Sequence, residues 1–285
     1  EIFFKLERFG VLFLKNFKII VVNYYSVLNI RILLDSIILC ASNKLSISIC
    51  LVDNTHCKSQ KTLLIDLLEQ YTSLDIDLIF SKENLGYFGA AHYAIKREKT
   101  VNKYDFVALV NPDIEFLNFD FLHEVQLDRD IGLMSVNVVN QDLIPYNPFM
   151  RTRPGITHLR LIRFVSSYYL IYRVYELLHI LKKSVKRRCL ARPKGFSKQE
   201  TVYANHGSIF IFTKEAMRKG FDFTYPGFLF LEELFVAEKM ADMNLKTVYV
   251  DQVTAIHYEH HSIGEFKDRL MVSYLNQSIN LFLNN

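Results

Sequence analysis

The sequence predicts an α/β protein built on a mostly parallel central sheet flanked by helices, and three observations carry that expectation. Apolar, β-rich runs at residues 18–22, 46–52, 76–80 and 106–110 alternate with helix-like stretches near 27–41, 61–71 and 88–97. Strands separated by amphipathic helices indicate βαβ units. Each run gives way to a polar loop: Asn23-Tyr24-Tyr25-Ser26, Asp53-Asn54-Thr55, Asn84-Leu85-Gly86 and Asn111-Pro112-Asp113. A chain of 285 residues, half of them hydrophobic and 22% charged, can also bury a large core.

In a parallel sheet these four loops converge on one carboxyl edge, where open α/β sheets bind ligands. A nucleotide pocket is the leading expectation for that edge. The sequence contains neither GxxxxGK[ST] nor GxGxxG, so it carries no P-loop and no dinucleotide fingerprint. After Glu115 the rhythm loosens. Residues 132–139 read as a further strand, 145–154 as loop, and 156–188 as one or two helices rich in Tyr, Leu and Ile. A strand at 208–212 leads to a helix start at Thr213, then a Gly/Pro/aromatic loop over 220–230 and a helix over 232–243. A short strand at 247–250, a histidine-rich loop from His257 to Ser262 and a helical tail over 266–283 complete the chain. No internal repeat or low-complexity segment interrupts it.

Composition narrows the class further. The four cysteines, Cys40, Cys50, Cys57 and Cys189, form no CxxC pair, which points to a reducing compartment and away from a disulfide scaffold or zinc site. Charged residues interrupt the apolar stretch over 2–22, so neither a signal peptide nor a membrane span is expected. The net charge of +4 hides an asymmetry: residues 151–200 hold 13 Lys/Arg against Glu176 and Glu200, a local balance of +11, with −7 over the rest. A basic insert in an acidic body implies a negatively charged partner. No nucleic-acid partner is expected, because no recognition motif accompanies the charge. Aromatic and aliphatic residues interleaved with the basic ones suit an anionic bilayer surface instead.

Three groups could carry chemistry. Asp113 follows a buried strand at Asn111-Pro112 and suits a divalent cation with its phosphates, although Asn-Pro-Asp is also an ordinary turn. Glu232-Glu233 opens a helix, where acidic residues complement the helix dipole; near a pocket, such a pair would raise each other's pKa, as a general base needs. His257 reads either as a metal ligand or as a satisfied polar group.

Taken together, six ordered segments resemble the inverting GT-A glycosyltransferases of family 2, especially bacterial polysaccharide enzymes of the rhamnosyltransferase-like kind. They are Val21-Val-Asn23-Tyr24, Val52-Asp53-Asn54, Asn84-Leu-Gly86-Tyr-Phe-Gly89-Ala, Leu109-Val-Asn111-Pro112-Asp113, Phe228-Leu-Phe-Leu-Glu232-Glu233 and His257 to Ser262. The resemblance spans residues 18–262. It implies a donor-binding half over 1–115, an acceptor-binding and catalytic half over 116–262 that includes the basic helical insert 156–200, and a C-terminal helical tail over 263–285.

The resemblance also implies roles. Asp53 would accept a hydrogen bond from the donor's pyrimidine, framed by Asn23, Tyr24 and Asn54. The glycine loop from Asn84 through Gly86 to Gly89 would approach the ribose and diphosphate, beside Asn111. Asp113 would hold Mg2+ or Mn2+, with His257 as a second ligand, and His206-Gly207 would touch donor sugar or acceptor. Glu233, or else Glu232, would deprotonate the acceptor. The substrates implied are a UDP- or dTDP-sugar and a growing surface glycan or polyprenyl-diphosphate-linked acceptor. The implied location is cytoplasmic, peripheral at the inner face of a bacterial membrane. Two departures stand out: both members of the acidic pair are Glu, and Asn111 replaces the first carboxylate of the metal motif. They keep two rivals open, a sugar nucleotidyltransferase and an inactive membrane-surface scaffold of the same fold.

Overall fold

Residues 14–98, 100–119, 121–187, 200–258 and 268–284 are described by a computed structural model of the protein. The first half repeats strand and helix: β1 (Lys15–Asn23), α1 (Val27–Cys40), β2 (Leu45–Asp53), α2 (Lys58–Leu68), β3 (Asp75–Phe80), α3 (Gly86–Arg97) and β4 (Phe106–Val110). The second half contributes β5 (Ile114–Asn118), α4 (Phe121–Glu124), β6 (Ile131–Val139), α5 (Ile156–Ser166) and α6 (Tyr169–Arg187). It continues with β7 (Glu200–Val202), β8 (Ile209–Thr213), α7 (Lys214–Arg218), α8 (Glu232–Asp242), β9 (Lys246–His257) and α9 (Arg269–Asn284).

The nine strands of the described residues join one sheet in the order β3-β2-β1-β4-β8-β6-β9-β5, with β7 paired to β9. β3, β2, β1 and β4 run parallel, as do β6 and β9; β5, β7 and β8 run against their neighbours. The sheet is therefore mostly parallel, as the alternating pattern requires. The chain order reverses at β1, which lies between β2 and β4, and the carboxyl ends of such a switch point are where open α/β sheets bind ligands.

Successive side chains of a strand alternate between faces, and the core divides accordingly. Phe17, Ile19 and Val21 pack with Leu33, Leu34 and Leu64 under α1 and α2. Ile20 and Val22 join Phe88, Ala91, Phe210 and Phe212 on the opposite face under α3 and α8. Each such fully buried side chain contributes about 1.5–3 kcal/mol of transfer free energy. A separate small cluster, Val165, Tyr172 and Val272, ties α5, α6 and α9 together.

The structure departs from the sequence reading in three places. The strand expected at 247–250 is the twelve-residue β9, because a bulge absorbs the polar step at Asp251-Gln252: the register with β6 jumps from Val136↔Val250 to Asn137↔Thr254. β5 and β7 were not expected; both are short strands at the sheet margin whose ladder lies on distant β9. The glycine segment Asn84–Gly89 is not all loop, since α3 begins at Gly86 and places Gly89 in its first turn. The basic stretch over 156–188 forms two helices broken at Ser167-Tyr168; Arg188, the insert over 188–199, and His260 to Ser262 lie outside the described residues, as does the tail's start at 266–267.

Candidate active site

The ends of β1 and β2 form the first part of the site. Asn23 Nδ2 donates to Asp53 Oδ1 at 2.8 Å, and the Thr55 backbone N–H reaches the same oxygen at 3.1 Å. Asp53 Oδ2 is buried with no partner. A buried acceptor left open costs about 1–3 kcal/mol, so this oxygen is held ready for an N–H donor. Tyr24 and Tyr25 are half exposed and meet edge to face at 4.9 Å beside that pocket.

Asn54 fixes the next part. Its side-chain amide donates to the Gly86 carbonyl at 3.1 Å, while Asn84 Oδ1 accepts from the Gly86 N–H at 3.0 Å. Gly86 adopts φ +71°, and a Cβ there would lie 2.8 Å from the Phe228 carbonyl oxygen. Only glycine allows both the left-handed backbone and that approach. The turn into α3 thus packs directly on the aromatic loop that carries the acidic pair.

Beyond β4, the Asn111 N–H donates to the Ser208 carbonyl at 2.9 Å. β5 then pairs antiparallel with β9 so that Ile114 faces His257. The result is that His257 Nε2 sits 3.3 Å from Asp113 Oδ1, with both side chains about nine-tenths buried. The contact lacks hydrogen-bond alignment, and Asp113 Oδ1 and His257 Nδ1 have no hydrogen-bond partner. The imidazole Nε2 close to a carboxylate oxygen that no hydrogen bond satisfies is a donor pair that fits a borderline divalent cation such as Mn2+. Among the described residues no cluster of three or more His, Cys, Asp or Glu side chains forms, so a cation here would take its remaining ligands from substrate and water.

His206 stacks on Tyr146 at 4.9 Å and lies 5.5 Å from the His257 ring. The His206 backbone N–H donates to Asn147 Oδ1 at 2.6 Å, and Asn147 Nδ2 in turn donates to the Val136 carbonyl at 2.8 Å. Asn147 is buried and locks the 206–208 segment to β6.

Glu232 and Glu233 open α8 after Phe230 and Leu231, two consecutive non-glycine residues in the left-handed region at φ 70° and 64°. Such backbone strain costs of order 1–3 kcal/mol per residue and clusters at functional sites. The Tyr225 hydroxyl donates to the Phe230 carbonyl and pins the turn. Glu233 projects over Gly207, where a Cβ would meet Glu233 Oε1 at 2.6 Å. Burial pushes the Glu232 carboxyl up to about 8, and the neighbouring Glu233 charge adds to the rise. Burial also raises Glu233, opposed by backbone hydrogen bonds at Glu233 and Gly207.

The structure therefore gathers Asn23, Asp53, Asn54, Asn84 and Gly86 in one cluster and Asn111, Asp113, His206, Gly207, Glu232, Glu233 and His257 in a second, with the Gly86–Phe228 approach between them. Gly89 lies in the first turn of α3, where an added Cβ would meet only Leu85, at 3.4 Å. Three residues escaped the sequence reading. Tyr146 and Asn147 sit in what reads as plain loop. The Tyr87 hydroxyl is buried without a partner, and burial together with Glu232, Asp113 and Glu233 holds its pKa far above the usual phenol value. Tyr87 lies inside the glycine segment Asn84–Gly89, which marks its position but not where its hydroxyl ends.

No family model and no curated protein matches the sequence. Solved structures do match. GalNAc-T7 with UDP, GalNAc and Mn2+ aligns at TM-score 0.54 and 13% identity, over 86% of this chain and 44% of the other. The mannosyltransferase PcManGT of Pyrobaculum calidifontis, in complex with GDP-Man and Mn2+, aligns at 0.53 and 17%, over 87% and 58%. Residues 1–349 of S. aureus TarS with UDP-GlcNAc align at 0.53 and 15%, over 93% and 66%. The chain thus spans less than two thirds of each of these structures. Sheet order, with its switch point at β1, and these alignments together show that the protein has the GT-A fold.

Proposed function

We propose that the protein is an inverting glycosyltransferase that moves a sugar from a nucleoside-diphosphate donor to a hydroxyl of a surface-glycan acceptor. The observation that carries this reading is the buried glutamate pair at the strained start of α8, joined through Gly207-Ser208 and Asn111 to the Asp113–His257 contact. The base of a UDP or dTDP donor enters beside Asn23, where Asp53 Oδ2 accepts its imide N–H. Asp113 and His257 would hold Mg2+ or Mn2+ against the diphosphate. When bound, that cation neutralises charge gathering on the leaving nucleoside diphosphate.

Glu233 is the base. The assignment rests on position, since Glu233 lies over Gly207 beside the Ser208–Asn111 link, while burial and the Glu233 charge hold Glu232 up to about 8. Glu233 takes the acceptor hydroxyl proton as that oxygen attacks the anomeric carbon. The anomeric C–O bond to phosphate breaks, and a single displacement inverts the configuration. The acceptor class that suits the basic insert is a glycan on a polyprenyl diphosphate, met at the inner face of a bacterial membrane.

The test is transfer with Mn2+ across UDP-, dTDP- and GDP-sugars, with the product anomer read by NMR. Glu233→Gln is expected to lower turnover by about 10²–10⁴-fold, the contribution of a general base. Near-normal turnover in that variant, or a retained anomer, overturns the mechanism.

A further inference from the structure

Helix α8 turns a different face to each of its neighbours. Glu233 projects over Gly207, and Val236, Ala237 and Met240 are buried in the core. Phe235, Glu238, Lys239 and Asp242 follow at i, i+3, i+4 and i+7, a single stripe on another side of the helix. This stripe faces a cavity of about 330 Å3, to which α9 contributes Ser278 and Leu281 and the aromatic loop contributes Tyr225. That volume falls among those of small-ligand sites.

The lining decides what the cavity takes. Tyr225 and Phe235 meet edge to face at 5.1 Å and, with Leu231 and Leu281, make an apolar wall. The charged groups are two cations and two carboxylates. Arg153 clasps Glu238 through Nε and Nη2, at 2.7 and 3.0 Å, while Lys239 and Asp242 form no ion pair among the described residues. The four charges cancel. An anion such as phosphate would gain from Arg153 and Lys239 and lose to Glu238 and Asp242, and a cation meets the reverse. Both surfaces fit a neutral ring with an apolar C–H face and hydroxyls around its edge. Carboxylates accept from such hydroxyls, and ammonium groups donate to them.

We propose that this cavity holds a neutral sugar unit of the acceptor glycan, one that does not itself react. Phe235 lies two residues beyond Glu233, about 200° around the helix, so cavity and base stand on opposite sides of a body about 10–12 Å wide. The sugar in the cavity is therefore remote from the hydroxyl that Glu233 deprotonates. The two places share a backbone. Leu231 lines the cavity and directly precedes Glu232. The Ser278 hydroxyl donates to the Leu229 carbonyl at 2.6 Å, and the Tyr225 hydroxyl donates to the Phe230 carbonyl. A sugar bound against these side chains braces the strained turn that carries the acidic pair. The sugar contact rests on the cavity alone; its assignment to an acceptor rests on the glycosyltransferase reading.

The experiment is saturation-transfer NMR on the full chain with the methyl glycosides of glucose, galactose, mannose, rhamnose, N-acetylglucosamine and N-acetylgalactosamine. At least one glycoside is expected to receive saturation and to keep it when UDP and Mn2+ are added. Phe235→Leu and Asp242→Asn are each expected to weaken its affinity by about three- to tenfold, the loss of one ring contact or one hydrogen bond. Asp242 is exposed, so its variant keeps the melting temperature of the wild type. No glycoside bound by the wild type, or equal binding by wild type and both variants, overturns the inference. Displacement by UDP with Mn2+ puts the glycoside at the donor site and also overturns it. Transfer assays on the same proteins separate the two readings. Where transfer occurs, both variants should raise the acceptor KM and leave kcat and the donor KM unchanged. Glycoside binding without transfer from any donor keeps the sugar site and overturns only its assignment to an acceptor.

Discussion

The carboxylate of Glu233 rests on the α-carbon of Gly207, so close that a methyl group at 207 would come within 2.6 Å of Glu233 Oε1. The glycine is needed for its missing side chain and not for its backbone, since its φ lies outside the left-handed region. Gly207→Ala should therefore move the Glu233 carboxylate by a few tenths of an ångström or more while leaving the fold intact. Misplacing a catalytic group by about 1 Å costs about 10²-fold in rate. The expected result is a fall in kcat of roughly one to two decades, with the donor KM little changed and the melting temperature within a few degrees. A variant with wild-type kcat would show that Glu233 does no chemistry in this position.

The Asp113–His257 contact predicts how nucleotide binding depends on metal. Asp113→Asn and His257→Ala each remove one of the two proposed donors that the structure brings together among the described residues. Each should weaken nucleoside-diphosphate affinity in Mn2+ by about tenfold or more, at about 1.4 kcal/mol per decade. The same variants should bind nucleotide without metal as the wild type does. Calorimetric titration with and without Mn2+ measures both. Equal losses in the two conditions would place these side chains in the fold and not at a cation.

The acidic pair predicts an unusual response of stability to pH. Glu232 has a folded-state pKa raised to about 8 from an unfolded value near 4.5. Between those values the folded chain binds the proton and the unfolded chain has released it, so stability declines as pH rises through that window. Ordinary paired carboxylates act in the opposite direction. Melting temperature followed from about pH 5 to pH 8 should fall, and Glu232→Gln should flatten that fall because the neutral amide has no proton to lose. An unchanged slope in Glu232→Gln would remove Glu232 as its source.

Much of this arrangement was legible from the sequence because it is local. The first four strands each read as an apolar run with a polar terminus, and β4 at Phe106–Val110 coincides with its expected bounds. Asp53, Asp113 and the Glu232-Glu233 pair stand at element ends, where a single residue announces itself. What escaped the sequence depends on distant pairing. β5 spans only five residues and is held by a strand some 140 positions later, so its alternation carries little signal on its own. That pairing sets His257 beside Asp113. Asn147 likewise reads as a turn residue, and its grip on His206 and Val136 exists only after β6 and β8 are in place. Tyr87 could be read as a core aromatic of α3; nothing local reveals where its hydroxyl ends.

Tyr87 supplies a test in which stability and activity should move in opposite directions. Its hydroxyl is buried, makes no hydrogen bond, and lies in the field of Asp113, Glu232 and Glu233. Leaving such a group unpaired costs about 1–3 kcal/mol in the free chain, so Tyr87→Phe should raise the melting temperature by a few degrees. A group kept at that cost is expected to donate to the bound substrate. The same variant should lose about one decade of kcat or more, consistent with the loss of a hydrogen bond made in the transition state. Thermal denaturation and steady-state kinetics on one preparation decide the matter. A destabilised variant with full turnover would make the hydroxyl a packing element whose partner forms only in solution.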